Sequence, residues 1–400
     1  MNRIKVAIVH PQLMGVGGSE LRPLWIAEAL KMDFSVTLIT MGTFDLDRLN
    51  AYCGTKIDRD QIKIIAIPIP LLLRTRFDAL RDYPLSRYCR KISSDFDIMI
   101  STYGLMDFGQ PGIQFIADFS FDDELRRRFD SDERNPQPWA YRASVMRKAY
   151  LSLARRLHGS KPSAWQKNVT IANSRWTQKV FADKYGILTQ VIYPPVPGLF
   201  PSVPWVKKEN GFIYIGRISP EKNIDEIIHI LLGVKAQGHQ IHLHIFGRLD
   251  DTPYVRYIQR LQGQNRDWIF LEGLIVGDEK RKMMSAHKFG ISGRRAEPFG
   301  ISAAELVKSG CLIWVPNGGG QVEIVDAPEL SYNSCDDAIE KIGHILRSKN
   351  SQLRLRRHLK LGSRRFSSEA FVSDIHKIVD AFLRTRDVRT KESRTFRQGD

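Results

Sequence analysis

Residues 294–326 read RRAEPFGISAAELVKSGCLIWVPNGGGQVEIVD, and the order of residue types in that run decides the fold. Pro298 stands where a first helical residue would, because its fixed φ suits that position and its missing N–H would be unpaired there anyway. Phe299, Gly300 and Ile301 then present open backbone N–H groups with the positive end of a helix dipole behind them, an anion site. Gly310 caps the end of the helix. Cys311–Val315 is an apolar run of strand length, and a glycine turn follows it. Two carboxylates flank the anion site. Glu297 precedes the helix and Glu305 lies eight residues on, about 12 Å away at helical rise. They are too far apart to share one reacting atom, as a glycosidase pair does. They can hold the two ends of an elongated ligand with an anionic middle, and a sugar nucleotide has that shape.

Upstream, the same half of the chain repeats strand, turn and helix. Phe212–Gly216 reads as a strand, followed by Arg217-Ile-Ser-Pro-Glu-Lys222-Asn223 and a helix to about Lys235. Ile241–Phe246 with Gly247, Trp268–Leu271 with Gly273, and Phe289–Ser292 are further strands. Lys222 falls in the first turn of its helix, where a cation opposes the dipole and costs a few tenths of a kcal/mol. A bound anion would reverse that sign. Arg217, at a strand's C-terminal edge, offers a planar fork suited to phosphate oxygens. Together the two make a diphosphate clamp. His242 and His244 alternate on one strand and share a face, but no third ligand lies at obvious spacing, so no metal site is expected. Neither a Ser/His/Asp nor a Cys/His pattern stands out, and no Walker phosphate loop is present.

The first half opens on a strand at Lys5–His10, then the loop Pro11-Gln-Leu-Met-Gly15-Val-Gly17-Gly18-Ser19-Glu20, a helix to about Lys31 and a strand at Ser35–Thr40. This is the start of a doubly wound α/β domain, in which ligands gather at the C-terminal ends of strands. The glycine loop reads either as a tight strand-to-helix turn or as a close approach to a ligand. It is not a dinucleotide fingerprint, because Thr40-Met-Gly-Thr43 offers no acid for a ribose, which disfavours an NAD-dependent dehydrogenase. Strands follow at Ile62–Ile67, Ile98–Ser101, Ile113–Ala117 and Val169–Ala172. Between them lie two basic segments. Leu71–Lys91 carries Arg74, Arg76, Arg81, Arg87, Arg90 and Lys91, and Arg142–Lys161 holds six cations and no acid. In the second, Met146, Tyr150, Leu153 and Leu157 recur at helical spacing. This is either an ordinary core-facing helix with a solvated basic face or a contact with anionic lipid head groups. Asp95-x-Asp97 and Asp130-x-Asp132 read as solvent-facing acids, the second in the polar loop Asp130–Pro138. Tyr193-Pro-Pro-Val-Pro197 through Pro204 is a stiff linker.

The totals set outer bounds. At 400 residues there is room for two domains, each with its own core. A hydrophobic share of 42% and a charged share of 26% are those of a soluble globular protein. MNRIKVAIVH enters a strand pattern directly, without the apolar core of a signal peptide, and no run is long enough to span a bilayer. Cys53, Cys89, Cys311 and Cys335 are scattered, which fits a reducing cytosol without disulfides or zinc. The net charge of +16 suggests a polyanionic partner: membrane phospholipid, a pyrophosphate-linked acceptor or nucleic acid.

Taken together, Arg217-(x)4-Lys222, Glu297-(x)7-Glu305 with Pro298-Phe299-Gly300 between them, and Gly319-Gly320 before Glu323 resemble the retaining glycosyltransferases of family 4. Asn173-Ser174 and Tyr193-Pro-Pro-Val196 are similar to that family's segments leading into the linker. The resemblance runs nearly throughout the C-terminal half, and in the N-terminal half covers only the first loop and the last segment. It implies a GT-B fold: two Rossmann-like doubly wound domains facing each other across a cleft, with a C-terminal helix packing back on the N-terminal domain. The implied division is residues 1–200 plus a helix at about 368–386 for the acceptor, 206–367 for the nucleotide sugar, and a charged, disordered tail at 387–400.

The resemblance further implies a hexosyltransferase that moves a sugar from a UDP- or GDP-sugar to a glycan or lipid-linked glycan with retention. Its setting would be cell-surface polysaccharide or glycolipid synthesis. No cofactor and no metal are implied, and the place of work is the cytoplasm, peripheral on the inner face of the membrane. Arg217 and Lys222 would bind the diphosphate, Glu305 the ribose, and Glu297 the transferred sugar. The N–H groups of Phe299, Gly300 and Ile301 would complete the pocket. Gly17 and Gly18 would let the first loop approach the donor, which Gly216, Gly247 and Pro298 would line. Many members carry a histidine in a Y-[IV]-H-x-P pattern near the reacting sugar, whereas here Gln114-Phe-Ile-Ala-Asp118-Phe-Ser puts Asp118 in its place. A carboxylate can hydrogen-bond a sugar hydroxyl but cannot act as a neutral imidazole, so altered sugar choice is implied. A second reading is a catalytically silent relative that binds a sugar nucleotide or scaffolds a partner. Nucleic-acid binding, drawn from the net charge and the tail Arg384–Arg397, lacks any aromatic-basic motif and is not expected.

Overall fold

A computed structural model describes residues 3–13, 17–68, 83–130, 144–159 and 163–397. Gly15, the cluster Arg74, Arg76 and Arg81, residues 131–138 of the polar loop with Asp132, Arg142 and Lys161 lie outside the described residues. In the first half, β1 (Lys5–His10), α1 (Gly18–Leu30), β2 (Ser35–Met41), α2 (Leu46–Cys53), β3 (Lys63–Ile67), α3 (Tyr83–Ile92), β4 (Ile98–Ser101) and β5 (Ile113–Ile116) follow in order. Then come α4 (Asp123–Asp130), α5 (Val145–His158), β6 (Val169–Ala172), α6 (Arg175–Tyr185) and β7 (Gln190–Val191). The strands pair in parallel in the order β3-β2-β1-β4-β5-β6-β7. Val6, Ala7, Ile8 and Val9 are all fully buried, as a parallel strand covered on both faces requires.

The second half builds a second parallel sheet from β8 (Glu209–Ile215), α7 (Ile224–Ala236), β9 (His242–Phe246), α8 (Pro253–Gly263), β10 (Ile269–Gly273), α9 (Gly277–Ala286) and β11 (His287–Ile291). It continues with α10 (Ile301–Lys308), β12 (Leu312–Pro316), α11 (Gln321–Val325), β13 (Ser331–Tyr332), α12 (Cys335–Arg347) and α13 (Lys349–Gly362). The strand order is β10-β9-β8-β11-β12-β13. Each sheet therefore reverses direction beside its first strand, and the C-terminal ends of the strands open a crevice there. Trp314, fully buried, centres the second core with Phe212 and Phe289 around it. The result is a two-domain GT-B fold.

A last helix, α14 (Ser368–Arg397), returns to the first half. Phe371, Ile375, Ile378, Val379 and Phe382 recur on one face, the 3.6-residue period of a half-buried helix, and join the core beneath α1. The helix runs on to Arg397, beyond Arg386, where the sequence reading begins a tail.

Side chains tie the two halves together. Ser174 caps α6 by accepting from the Thr177 N–H, and its hydroxyl donates to the Pro298 carbonyl at 2.6 Å. Thr177 donates to the same carbonyl at 3.2 Å. Glu323, on α11, accepts from the Arg175 and Trp176 N–H groups at 3.1 and 2.9 Å, so a carboxylate from the second half sits on the positive end of α6. Tyr193 donates to that carboxylate at 2.8 Å and packs its ring between Phe299 and Phe366. Ile301 touches both cores.

Candidate functional site

Two turns of the second sheet meet at one charged contact. The first follows β8, through Gly216 and Arg217 to a short 3-10 turn at Pro220–Lys222. Asn223 then takes a left-handed conformation (φ 50°) and opens α7 at Ile224. Lys222 thus lies ahead of the helix, not in its first turn as its spacing suggests. The second turn follows β11. Gly300 is left-handed (φ 96°, ψ 62°), and α10 begins only at Ile301. Pro298 is therefore not a first helical residue, which corrects the sequence reading. A left-handed residue cannot belong to a right-handed helix, so the chain turns at Gly300 and the helix starts after it.

The Lys222 ammonium is 2.6 Å from Glu297 Oε2, and an Arg294 guanidinium nitrogen is 3.6 Å from the same oxygen. Burial would raise the Glu297 pKa. Lys222 first and Arg294 next outweigh it and hold the carboxyl down at about 2. Arg217 stands apart from this contact. Its side chain is 76% exposed and pairs with Glu221 at 3.3 Å. Gly247, at the end of β9, backs the same turn, for a Cβ there would lie 2.3 Å from the Gly216 carbonyl oxygen. The Glu297 backbone rests on the glycine turn: the Gly320 N–H donates to its carbonyl at 2.7 Å, and a Cβ at Gly319 would lie 2.4 Å from that oxygen.

Glu305 is about one turn along α10 and has a partner that spacing does not reveal. Lys280, from α9, reaches both of its oxygens at 2.7 Å. Tyr52, on α2 of the first half, feels that carboxylate: burial first, then the negative charge of Glu305, pushes the phenol's pKa up. Phe299 is buried at 2% exposure, and its ring is structural. Gly18 brings the first loop against the start of α10, where a Cβ would sit 2.8 Å from Ile301 Cδ1. Gly17 precedes it as the N-terminal boundary of α1.

Asp118 lies just past β5 in a polar cluster at the C-terminal ends of β1, β4 and β5. It accepts from the Tyr103 hydroxyl at 2.9 Å and the Ser120 N–H at 2.8 Å. Arg22, buried on α1, donates to the Thr102 carbonyl at 2.9 Å. Its guanidinium pKa is lowered to about 10 by burial, against the opposing pull of Asp118. His10, the last residue of β1, pairs through Nδ1 with the Thr102 hydroxyl at 2.8 Å. Burial, and then the Arg22 charge, bring its pKa down to about 3, so the imidazole is neutral at physiological pH. None of His10, Arg22 or Tyr103 is legible as a site residue from spacing. The one available signal is an arginine inside the apolar run of α1.

The basic helix α5 corrects one of its two sequence readings. Val145, Met146, Leu153 and Leu157 are exposed, while Ala154 is buried and Arg147 turns inward to Asp123 at 2.8 Å. Three of the four residues of the stripe that spacing offers to a core are exposed, and the fourth, Tyr150, is half-buried. Among the described residues no helix is long and apolar enough to cross a membrane.

Comparison with known proteins bears on this geometry. Residues 198–360 match the family described as glycosyl transferases group 1. An uncharacterized glycosyltransferase of Methanocaldococcus jannaschii is 27% identical over 117 residues, which span 29% of this chain and 30% of that protein's length. Among solved structures, Anabaena HepE in complex with UDP-glucose is 16% identical with a TM-score of 0.67, over 94% of this chain and 100% of that one. Sucrose-phosphate synthase of Thermosynechococcus elongatus is 15% identical with a TM-score of 0.67, over 96% and 100%. A TarM mutant of S. aureus, in complex with fondaparinux, alpha-GlcNAc-glycerol and UDP, is 12% identical with a TM-score of 0.62, over 95% and 99%. At these identities the likeness shows a shared GT-B fold.

Proposed function

We propose that the chain is a retaining glycosyltransferase of family 4 that moves a hexose from a nucleoside-diphosphate sugar to a glycan or lipid-linked glycan. The observation that carries this reading is the Lys222–Glu297 contact at the head of the Gly300–Ile301 turn, with Glu305 farther along the same helix. Lys222 and the exposed Arg217 supply positive charge where the diphosphate leaves, an electrostatic contribution that grows in the transition state. Glu297, ionised at neutral pH, accepts from hydroxyls of the transferred sugar. Glu305, steadied by Lys280, accepts from the ribose. The first loop at Gly17 and Gly18 closes over the donor, and Asp118 faces the sugar from the other domain. This assignment uses no metal and no cofactor. The domains divide at 1–200 with 368–386 on one side and 206–367 on the other, so the acceptor and donor meet across the crevice.

The donor class has a direct test. Purified protein is melted with UDP-, GDP- and ADP-sugars and the free nucleotides. Saturation at about 100 times Kd stabilises by about 2.7 kcal/mol, a rise in Tm of roughly 3 °C for a chain this size. The UDP series is expected to give that rise, in keeping with the UDP-glucose bound to HepE. No shift with any nucleotide would remove the reading. A second reading rests on Asp118 in place of the family histidine: a silent relative that binds donors and turns none over with any acceptor extract.

The outward apolar stripe and cations of α5 support peripheral attachment to an anionic membrane, on the inner face of the cytoplasmic membrane. Co-sedimentation with phosphatidylglycerol vesicles at low salt is expected and should fall steeply as salt rises. Leu153→Glu combined with Leu157→Glu should abolish it. Equal sedimentation with neutral vesicles would overturn this part.

A further inference from the structure

At the opposite end of the second sheet from the donor crevice, three imidazoles converge. His242 opens β9, His244 is two residues along it and His287 opens β11. Strand β8 runs between those two strands and begins at Glu209. One ring nitrogen from each histidine lies within 4.8 Å of the others. Glu209 Oε2 is 3.5 Å from His242 Nε2 and 3.8 Å from His287 Nε2. A four-coordinate zinc with bonds of about 2.0–2.1 Å sets its ligand atoms about 3.4 Å apart, so modest side-chain rotation closes the set.

The surroundings prepare the rings as ligands. His287 Nδ1 lies 2.7 Å from the Met283 carbonyl. A carbonyl only accepts, so Nδ1 carries the proton and Nε2 presents a bare lone pair. His244 Nδ1 is 2.6 Å from a Glu272 oxygen, the carboxylate–histidine pairing that orients a metal-binding ring. His242 Nε2 and His287 Nε2 are buried with no hydrogen-bond partner, although a buried nitrogen without one is costly. The space between them exists because β8 has a glycine there. A Cβ at Gly211 would lie 2.1 Å from His242 Nε2 and 2.5 Å from His287 Cδ2. The nearby lysines are engaged elsewhere, Lys208 with the His287 and Ser309 carbonyls and Lys235 over the Trp268 ring.

We propose that His242, His244, His287 and Glu209 bind one divalent transition-metal ion of the zinc class. Three imidazoles and a carboxylate suit such an ion, and four protein ligands leave no open position, the pattern of a structural site. The ion would pin the N-terminal ends of β9, β8 and β11 to each other, away from the groups proposed for sugar transfer.

The test uses tag-free full-length protein, incubated with zinc and dialysed at neutral pH. Elemental analysis should find about one zinc per chain, and the cobalt(II) form should show the intense visible bands of a four-coordinate centre. His244→Ala should bind zinc at least tenfold more weakly, and Glu272→Gln, which removes only the orienting charge, about 10–100-fold more weakly. A nucleotide-induced rise in Tm equal to wild type certifies that each variant is folded. Wild type retaining less than about a fifth of an ion per chain, a six-coordinate cobalt spectrum, or a folded His244→Ala protein with unchanged affinity would each overturn the proposal.

Discussion

Lys222→Ala is expected to lower the rate of sugar transfer about 10²–10³-fold, a loss of about 3–4 kcal/mol of transition-state stabilisation. The ammonium sits 2.6 Å from Glu297 and is 16% exposed, so it acts in a site with little water to screen it. On the proposed function, charge develops on the leaving diphosphate as the sugar–phosphate bond breaks, and the exposed Arg217 guanidinium alone would not replace a cation held beside Glu297 there. The loss should appear in kcat more than in KM, because the interaction strengthens in the transition state. The same substitution leaves Glu297 buried beside Arg294 alone, and stability should fall with activity. Glu297 is a carboxyl whose folded pKa is depressed, from 4.5 to about 2. Its contribution is therefore complete above pH 4.5 and is lost as pH falls toward 2. The Tm gap between wild type and Lys222→Ala should be widest at pH 7 and shrink at pH 3. Steady-state transfer assays and melting curves at both pH values check this. Activity within threefold of wild type would remove Lys222 from the chemistry.

Glu323→Ala should be the most damaging change at the junction of the domains. The carboxylate accepts two backbone N–H groups at the start of α6 and the Tyr193 hydroxyl, all from the first half of the chain or its linker. Losing a helix cap costs about 1 kcal/mol, and hydrogen bonds to a charged group contribute about 1.5–3 kcal/mol each. A net loss of about 2–4 kcal/mol is expected, or roughly 2–5 °C in Tm. Because the contact holds the two halves in register at the crevice, KM for the donor should rise as well. Glu323→Gln keeps an acceptor without the charge and should fall between wild type and alanine. An unchanged Tm in both variants would show that the domains are held together elsewhere, through Ser174 and Thr177 on the Pro298 carbonyl.

The strands were the legible part of this fold. β1, β4 and β6 appear over the residues that the apolar runs predict, because a parallel strand buried on both faces is apolar along most of its length. The stretch 294–326 likewise announced its helix, strand and glycine turn in order, since each depends on local chemistry. Where local chemistry was ambiguous, packing decided. Pro298 has the credentials of a helix start, yet the left-handed Gly300 displaces that start by three residues, to Ile301. That geometry answers to the glycine turn packed beneath Glu297. The stripe on α5 has helical spacing whichever way it faces, and only the inward turn of Arg147 to Asp123 shows that it faces out.

Composition, periodicity and short motifs determined the doubly wound class, the two-part chain and the candidate cations and carboxylates, because those follow from neighbours within a turn or a strand. Only the tertiary structure decided which charges meet: Lys222 with Glu297, Lys280 with Glu305, Glu323 with the start of α6, and His287 beside His242 and His244. Each of these joins residues on separate elements, and a pairing across elements is set by how the sheet stacks its strands, not by distance along the chain.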